Sequence, residues 1–414
     1  MPEIKIELIS VGDEILLGHT VDSNANWIER QLVNIGHQLR YHSTVGDNQS
    51  DMLEAFELAC DRSQVIIVMG GLGPTHDDIT RPVLAKFFDD TLEIQPAIKK
   101  VIDERYTERD ITPPPGLDIM TQFPTKAVPI LNDQGSAPGI HFSERGIDLF
   151  AVPGVPSEMK EMISTYILKL IREKGSGTYR YHLFRAAGIG ESYLSEKIGD
   201  CHNYLPVKMA FLPSIDNGVT LRLSHSGTNP DKVETVLTNK VSRVRKKIKK
   251  YVYTEDERTL EEILYAQLHE KNLRLAVAES CTGGMICDRI VSVAGSSKIF
   301  DWGFITYSDR AKIEQLNVSE ETLKSCGAVS EETAIEMARG VMEIAGTDIG
   351  LSVTGISGPT GGTLEKPLGL TYVGLCDRNS SQARKFNFIG DRNTNSRRAA
   401  LAALTFLWKH INCV

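Results

Sequence analysis

Three strand-like runs, at residues 4–10, 39–45 and 65–69, the last of them continuously apolar, are separated by stretches whose apolar residues recur at helical spacing. Ile28, Leu32, Ile35 and Leu39 follow Asp22-Ser23, either of which can cap a helix start, and a second helix begins near Asp51. Strands alternating with helices of this length pair side by side into a parallel, helix-covered sheet. The expected fold class is therefore α/β. In such sheets ligands bind beyond the carboxyl ends of the strands.

Those ends carry suggestive residues. Gly12-Asp13-Glu14 follows the first run, Asp47 the second, and Gly70-Gly71-Leu72-Gly73-Pro74-Thr75-His76-Asp77-Asp78 the third. Glycines let backbone approach phosphate oxygens, and paired aspartates can hold a divalent cation that bridges them. Glycine and aspartate are also ordinary loop residues, so it is their recurrence at successive strand ends that points to a site. A further strand at 147–152 runs into Pro153-Gly154-Val155-Pro156-Ser157-Glu158. The helix after it places Met159, Met162, Ile163, Tyr166, Ile167 and Leu170 on one face, a core-packing pattern.

A chain of 414 residues calls for two or three domains. Gly175-Ser176-Gly177 reads as a linker or wide turn. The pattern then changes: a strand near 179–186, a helix after Gly188-Ile189-Gly190-Glu191, strands near 207–211 and 219–224, and a helix from about Asp231. The basic run 243–250 reads as a solvated helix face. A second boundary falls near Thr254-Glu255-Asp256, so the expected segments are 1–174, 175–254 and 255–414.

In the last segment a short strand near 273–277 runs into Ala278-Glu279-Ser280-Cys281-Thr282-Gly283-Gly284, and Ile286, Ile290 and Val293 follow at helix spacing. A small-residue loop between strand and helix leaves backbone N–H groups free at a helix start, suited to an oxyanion or a phosphate. Ser280 sits on its rim as a candidate nucleophile, with Cys281 as its rival. The same seven residues would also serve as an ordinary glycine-rich turn. Downstream, a strand at 300–307 places Tyr307 at its exit, and Ser308-Asp309-Arg310-Ala311-Lys312 starts a helix. A long helix follows Ser330, and the strand through Leu351 and Val353 ends in Thr354-Gly355-Ile356-Ser357-Gly358-Pro359-Thr360-Gly361-Gly362. Gly390-Asp391-Arg392 then precedes a terminal helix. An amide hydrolase needs a nucleophile, a base and donors aimed at the developing oxyanion. Ser280 supplies the first, and Lys312 the second if burial keeps it neutral. Tyr307 can relay a proton or orient either partner. The amides of Thr282, Gly283 and Gly284 are the expected oxyanion donors, and Arg392 can serve equally as a fork for a substrate phosphate or in a surface salt bridge.

A formal net charge of -8 argues against a general binder of nucleic acid or membrane surfaces. The seven cysteines are scattered, odd in number and without CxxC spacing, so reduced thiols are expected in place of disulfides or a zinc site. The start Met1-Pro2-Glu3 leads directly toward a strand, without a signal-peptide pattern, and no apolar run reaches transmembrane length. The cytoplasm is the expected compartment.

AESCTGG at 278–284, GFITYSDRAK at 303–312, TGISGPTGG at 354–362 and GDR at 390–392 resemble, in that order, the nicotinamide mononucleotide deamidase domain of the CinA family. GDEILLG at 12–18, VGDN at 45–48, GGLGPTHDDIT at 70–80 and PGVPSEM at 153–159 are similar to that family's first domain. That domain looks like molybdopterin-binding proteins and is associated with ADP-ribose pyrophosphatase activity. The middle segment looks like the family's KH-type domain. The resemblance implies a bifunctional pyridine-nucleotide salvage enzyme, with Ser280 as nucleophile, Lys312 as base and Tyr307 beside them. It implies nicotinamide mononucleotide lying against Thr354, Gly355, Gly358 and Arg392, with no cofactor in that domain. For the first domain it implies ADP-ribose held near Gly70, Gly71, Gly73, Thr75 and Gly154. A divalent cation (Mg, Mn or Co, with K+ a further possibility) would lie among Asp22, Asp47, Asp77, Asp78 and Glu158. A homodimer is the implied assembly. The 188–191 turn lacks the basic residues of an RNA-clamping loop, so no nucleic-acid partner is expected. Two other readings stand beside this one: a competence- or damage-associated interaction protein, and a first domain that binds a pterin or nucleotide without turnover.

Overall fold

Continuous burial of the strand Ile6–Val11 places it inside a sheet, where it pairs in parallel with Leu39–Val45 on one side and Val65–Met69 on the other. Val65–Met69 pairs in parallel with Ile147–Val152. Two antiparallel strands, Gly139–Glu144 and Val128–Ile130, extend that edge to six strands. The computed structural model describes residues 4–108, 117–174 and 178–413, so both the Gly175-Ser176-Gly177 turn and the Met1-Pro2-Glu3 start lie outside it. The chain divides into two compact units, residues 1–180 with 225–236 and residues 181–224 with 237–414.

In the first unit both expected helix starts hold, but Ile35 and Leu39 lie past the end of Ser23–Asn34, Leu39 opening the next strand. Asp22 caps Ser23–Asn34 through the Ala25 N–H, and Asn48 caps Gln49–Arg62. The helical stretch that begins at Pro156 passes through a π turn at Ile163–Ile167 and buries Met159, Met162, Ile163 and Ile167. Because four strands run in parallel, Val11, Val45, Met69 and Val152 end along one edge. That edge collects all four candidate loops.

In the second unit, Lys208–Ser214 pairs antiparallel with Gly218–Gly227, and Val252–Thr254 pairs antiparallel with Thr178–Ala186. A five-stranded sheet follows in the order Phe300–Ile305, Leu275–Glu279, Ile349–Gly355, Leu370–Asp377, Ser381–Asn387. Its first three strands are parallel and the last two antiparallel. Leu275–Glu279 shows why the sheet is covered on both faces. Leu275 and Val277 pack with the helices Leu260–Glu270, Met285–Val291 and Arg392–Ile411, while Ala276 and Ala278 pack beneath Asp309–Leu316 and Glu331–Ala345. Val293, expected at helix spacing, lies past the end of Met285–Val291. Ala187 and Tyr253 of the middle segment belong to the same apolar core, the Tyr253 ring lying 6.4 Å from that of Trp408. Among the described residues no helix is long and apolar enough to cross a membrane.

Candidate active site

Ser280 follows directly on a fully buried central strand and is tied to the next one, its N–H donating to the Val353 carbonyl at 3.0 Å. The chain then turns sharply. Gly283 and Gly284 adopt φ of +61° and +103°, a left-handed backbone that side chains disfavour. Glu279 holds this turn from inside. Its fully buried carboxylate accepts the N–H of Gly284 at 2.9 Å, of Ile286 at 3.2 Å and of Cys287 at 2.8 Å, which satisfies amides otherwise orphaned at the helix start. These bonds narrow the expected oxyanion donors. The Gly284 amide is taken by Glu279, and that of Gly283 by the Ser280 carbonyl at 3.2 Å. Among the described residues the Thr282 amide has no protein acceptor, and the Thr282 hydroxyl is buried without a partner.

Ser308 caps the helix Asp309–Leu316, so Lys312 falls in its first turn and points inward, 1% exposed. Its Nζ donates to the Thr306 carbonyl at 2.9 Å, to Ser280 Oγ at 3.3 Å and to the Tyr307 carbonyl at 3.3 Å. No partner is a carboxylate. Burial therefore pushes the Lys312 pKa below the ordinary lysine value of 10.5, the direction a general base requires. Cys281 is shifted the other way: burial raises its thiol to about 11, which keeps it protonated at neutral pH.

Tyr307 reaches this pair through its backbone only. Its exposed hydroxyl accepts from Arg392 at 2.8 Å, and the other arm of the guanidinium donates to the Gly358 carbonyl at 2.6 Å. Among the described residues Arg392 thus has two neutral partners and no carboxylate. Together Ser280, Tyr307, Lys312 and Arg392 line a cleft of about 240 Å³ with the loop that begins at Thr354, Gly355 and Gly358. The Thr354 hydroxyl is spent on the Ala328 carbonyl at 2.7 Å. Behind the loop, Ser396 Oγ lies 2.9 Å from both the Cys281 carbonyl and Ser357 Oγ, and Asn395 donates to the Ser357 carbonyl at 3.0 Å. Glu279, Ser357, Asn395 and Ser396 have supporting roles that the sequence does not announce, because their partners are backbone groups or distant side chains.

At the edge of the first sheet, Asp13 and Asp47 clasp each other. The Asp13 N–H donates to the Asp47 carboxylate at 3.1 Å and the Asp47 N–H to that of Asp13 at 3.3 Å. Burial, with the like charges of Asp13, Glu14 and Asp77, raises the Asp47 pKa against the opposing bond from the Asp13 amide. Asp77 is exposed. Asp78 turns back on its own loop to accept the Thr75 N–H at 2.9 Å and the Thr75 hydroxyl, beside Gly73. Gly70 and Gly71 join the third strand to Thr80, whose hydroxyl donates to the Gly70 carbonyl at 2.8 Å. The Gly154 carbonyl accepts from Asn24 at 2.7 Å. Two of the expected metal ligands are otherwise engaged, Asp22 with Ala25 and Ser10, and Glu158 with Asn132. Among the described residues the five expected acids form no triplet with ligand atoms within 4.8 Å of one another; only the exposed Asp200, Cys201 and His202 do.

Comparison with known proteins gives the same order of parts. Residues 7–173 match the family described as "Probable molybdopterin binding domain", residues 182–254 "Damage-inducible protein CinA KH domain", and residues 257–411 "CinA C-terminal domain". A CinA-like protein of Dictyoglomus turgidum is 39% identical over 94% of this chain and 95% of its own length. Another, of Kosmotoga olearia, is 39% identical over 98% of both. Among solved structures, the competence/damage inducible protein CihA from Agrobacterium tumefaciens is 35% identical over 37% of this chain and 93% of that one, with a TM-score of 0.36.

Proposed function

The chain belongs to the CinA family, and on that premise we propose that its last domain hydrolyses the carboxamide of nicotinamide mononucleotide to nicotinate mononucleotide and ammonia. The observation that carries this reading is the buried Lys312 amine 3.3 Å from Ser280 Oγ, with only neutral partners. A serine hydroxyl needs a base to take its proton as it attacks. Lys312 accepts that proton while Oγ bonds to the carboxamide carbon, and it then gives the proton to the departing ammonia. Water enters, loses a proton to the same amine, and breaks the acyl–Oγ bond to release the acid and restore the serine. The Thr282 amide faces the developing oxyanion, and Arg392 meets the substrate phosphate.

For the first domain the reading is metal-dependent hydrolysis of the ADP-ribose pyrophosphate. It is supported by four loops converging on one sheet edge and by the reciprocal Asp13–Asp47 clasp, which ties the first two of those loops together. Among the described residues Asp13, Asp47 and Asp77 do not already stand as a ligand cluster, so they would have to draw together around a divalent cation, whose part would be to neutralise charge on adjacent phosphate oxygens. Asp78 shapes the Thr75 turn instead, and the glycine loop brings backbone up to the substrate.

Purified chain incubated with nicotinamide mononucleotide should release ammonia and nicotinate mononucleotide in equal amounts, and Ser280→Ala and Lys312→Ala should each remove nearly all of it. With ADP-ribose it should yield AMP and ribose phosphate, and a chelator should stop this reaction alone. A tight protein partner accompanied by no ammonia release would favour the interaction-protein reading.

A further inference from the structure

A second cavity in the 181–224 and 237–414 unit, of about 590 Å³, has no part in the proposed deamidation. Its size falls within the roughly 300–1,000 Å³ of small-molecule sites. One wall is the Gly188-Ile189-Gly190 turn of the middle segment; the other is the strand Ser381–Asn387 and the terminal helix. Gly188 adopts φ of +68°, and a side chain there would run into the Lys409 ammonium and Thr405, so the turn rests directly on the helix.

The lining has two characters. Phe386 and Phe388 stack nearly parallel, 9° apart with centroids at 5.6 Å, and Leu401 and Phe406 continue the apolar surface. Around it stand Arg384, Arg398 and Lys409. Among the described residues none of the three pairs with a carboxylate, unlike Arg245 and Arg397, which pair with Glu255 and Asp216. Arg384 lies over the Phe406 ring at 4.9 Å, and Arg398 donates to the Ile389 carbonyl. Burial, then the Arg384 charge, lowers the Lys409 pKa, as expected of neighbouring cations without a counter-ion. Glu191 is the only acid in the lining.

We propose that this cavity binds a small organic anion with a planar aromatic body, its ring on the Phe386–Phe388 surface and its phosphate or carboxylate between Arg384 and Lys409. The turn alone lacks basic residues; here the last domain supplies them. Because the terminal helix covers the turn, the cavity suits a compact molecule held from both sides. Occupancy would clamp the middle segment to the deamidase domain.

The test titrates the full chain with anilinonaphthalene sulfonate, an aromatic anion whose emission rises on leaving water. Saturable binding to one site is expected, competed by AMP but not by adenosine or inorganic phosphate. Arg384→Gln with Lys409→Gln should weaken it at least about tenfold, and Ala402→Trp should fill the cavity and abolish it, both with deamidation retained. Absence of binding, or binding unchanged by both variants, overturns the site. Competition by phosphate alone overturns the aromatic class. If Ala402→Trp fails to fold, the double variant decides by itself.

Discussion

Glu279→Gln tests whether the buried carboxylate holds the turn that carries the nucleophile. The change is nearly isosteric but leaves one acceptor oxygen where there were two. In the better orientation the amide carbonyl keeps Gly284 and Ile286, and its NH2 group faces the Cys287 N–H. One buried donor then loses its acceptor, at about 1–3 kcal/mol, and two charge-assisted bonds become neutral ones, at about 1 kcal/mol each. The expected loss is about 3–5 kcal/mol. For a domain of this size that lowers Tm by on the order of 10 °C. Because Ser280 adjoins Glu279 and its carbonyl accepts the Gly283 N–H, the turn relaxes and deamidation falls, on the order of 10²-fold, by the same loss of near-attack geometry that small misplacements cause. Calorimetry and ammonia release on the same preparation measure both effects. A Tm within about 2 °C of wild type together with undiminished kcat would show that the carboxylate is a bystander.

Four further outcomes follow from the same geometry. Ammonia release should rise with pH along a limb below 10.5, as Lys312 loses its proton; in that window the unfolded chain binds more protons, so stability also rises with pH, and Lys312→Met should flatten both trends. Ser280→Ala combined with Lys312→Ala should be little worse than either alone, whereas Cys281→Ser should be mild; a dead Cys281→Ser with an active Ser280→Ala would transfer the nucleophile to the thiol. Tyr307→Phe removes one partner of Arg392 and should raise KM by about tenfold, the worth of a hydrogen bond of about 1.4 kcal/mol, with kcat nearly unchanged; a kcat loss of several orders would restore the proton-relay role. Asp13→Asn with Asp47→Asn should abolish ADP-ribose hydrolysis and spare deamidation, and equal loss of both activities would refute separate sites.

The parts legible in the sequence are those with local causes. Val65–Met69 reads as a strand because every residue in it is apolar and buried, and Ser308 and Asp391 mark helix starts by accepting an N–H three residues on. Ser280 and Lys312, 32 positions apart, are paired in the sequence by their chemistry and by family resemblance, and the fold places them in contact. Other features have no local signal. The strands Leu92–Ile94, Gln122–Pro124 and Val128–Ile130 have three residues each, too few to show a period. Glu279 looks like any acid at the end of a strand until its three amide partners are seen. The middle segment has a distinct pattern but shares a core with the last, through Tyr253 and Ala187, because packing between distant residues leaves no trace in periodicity. The same holds for the second cavity, whose walls lie about two hundred positions apart in the chain.

Two of the three acceptors that hold the Lys312 amine are main-chain carbonyls, those of Thr306 and Tyr307. Every amino acid carries such a carbonyl, so inherited change at either position leaves both in place as long as the backbone keeps its path. The setting of the base is thereby insulated from drift at its nearest neighbours. In a lineage where 306 or 307 differs, a changed letter says nothing about whether the lysine still works. An insertion or deletion between the strand Phe300–Ile305 and the helix Asp309–Leu316 would, because it moves the carbonyls themselves.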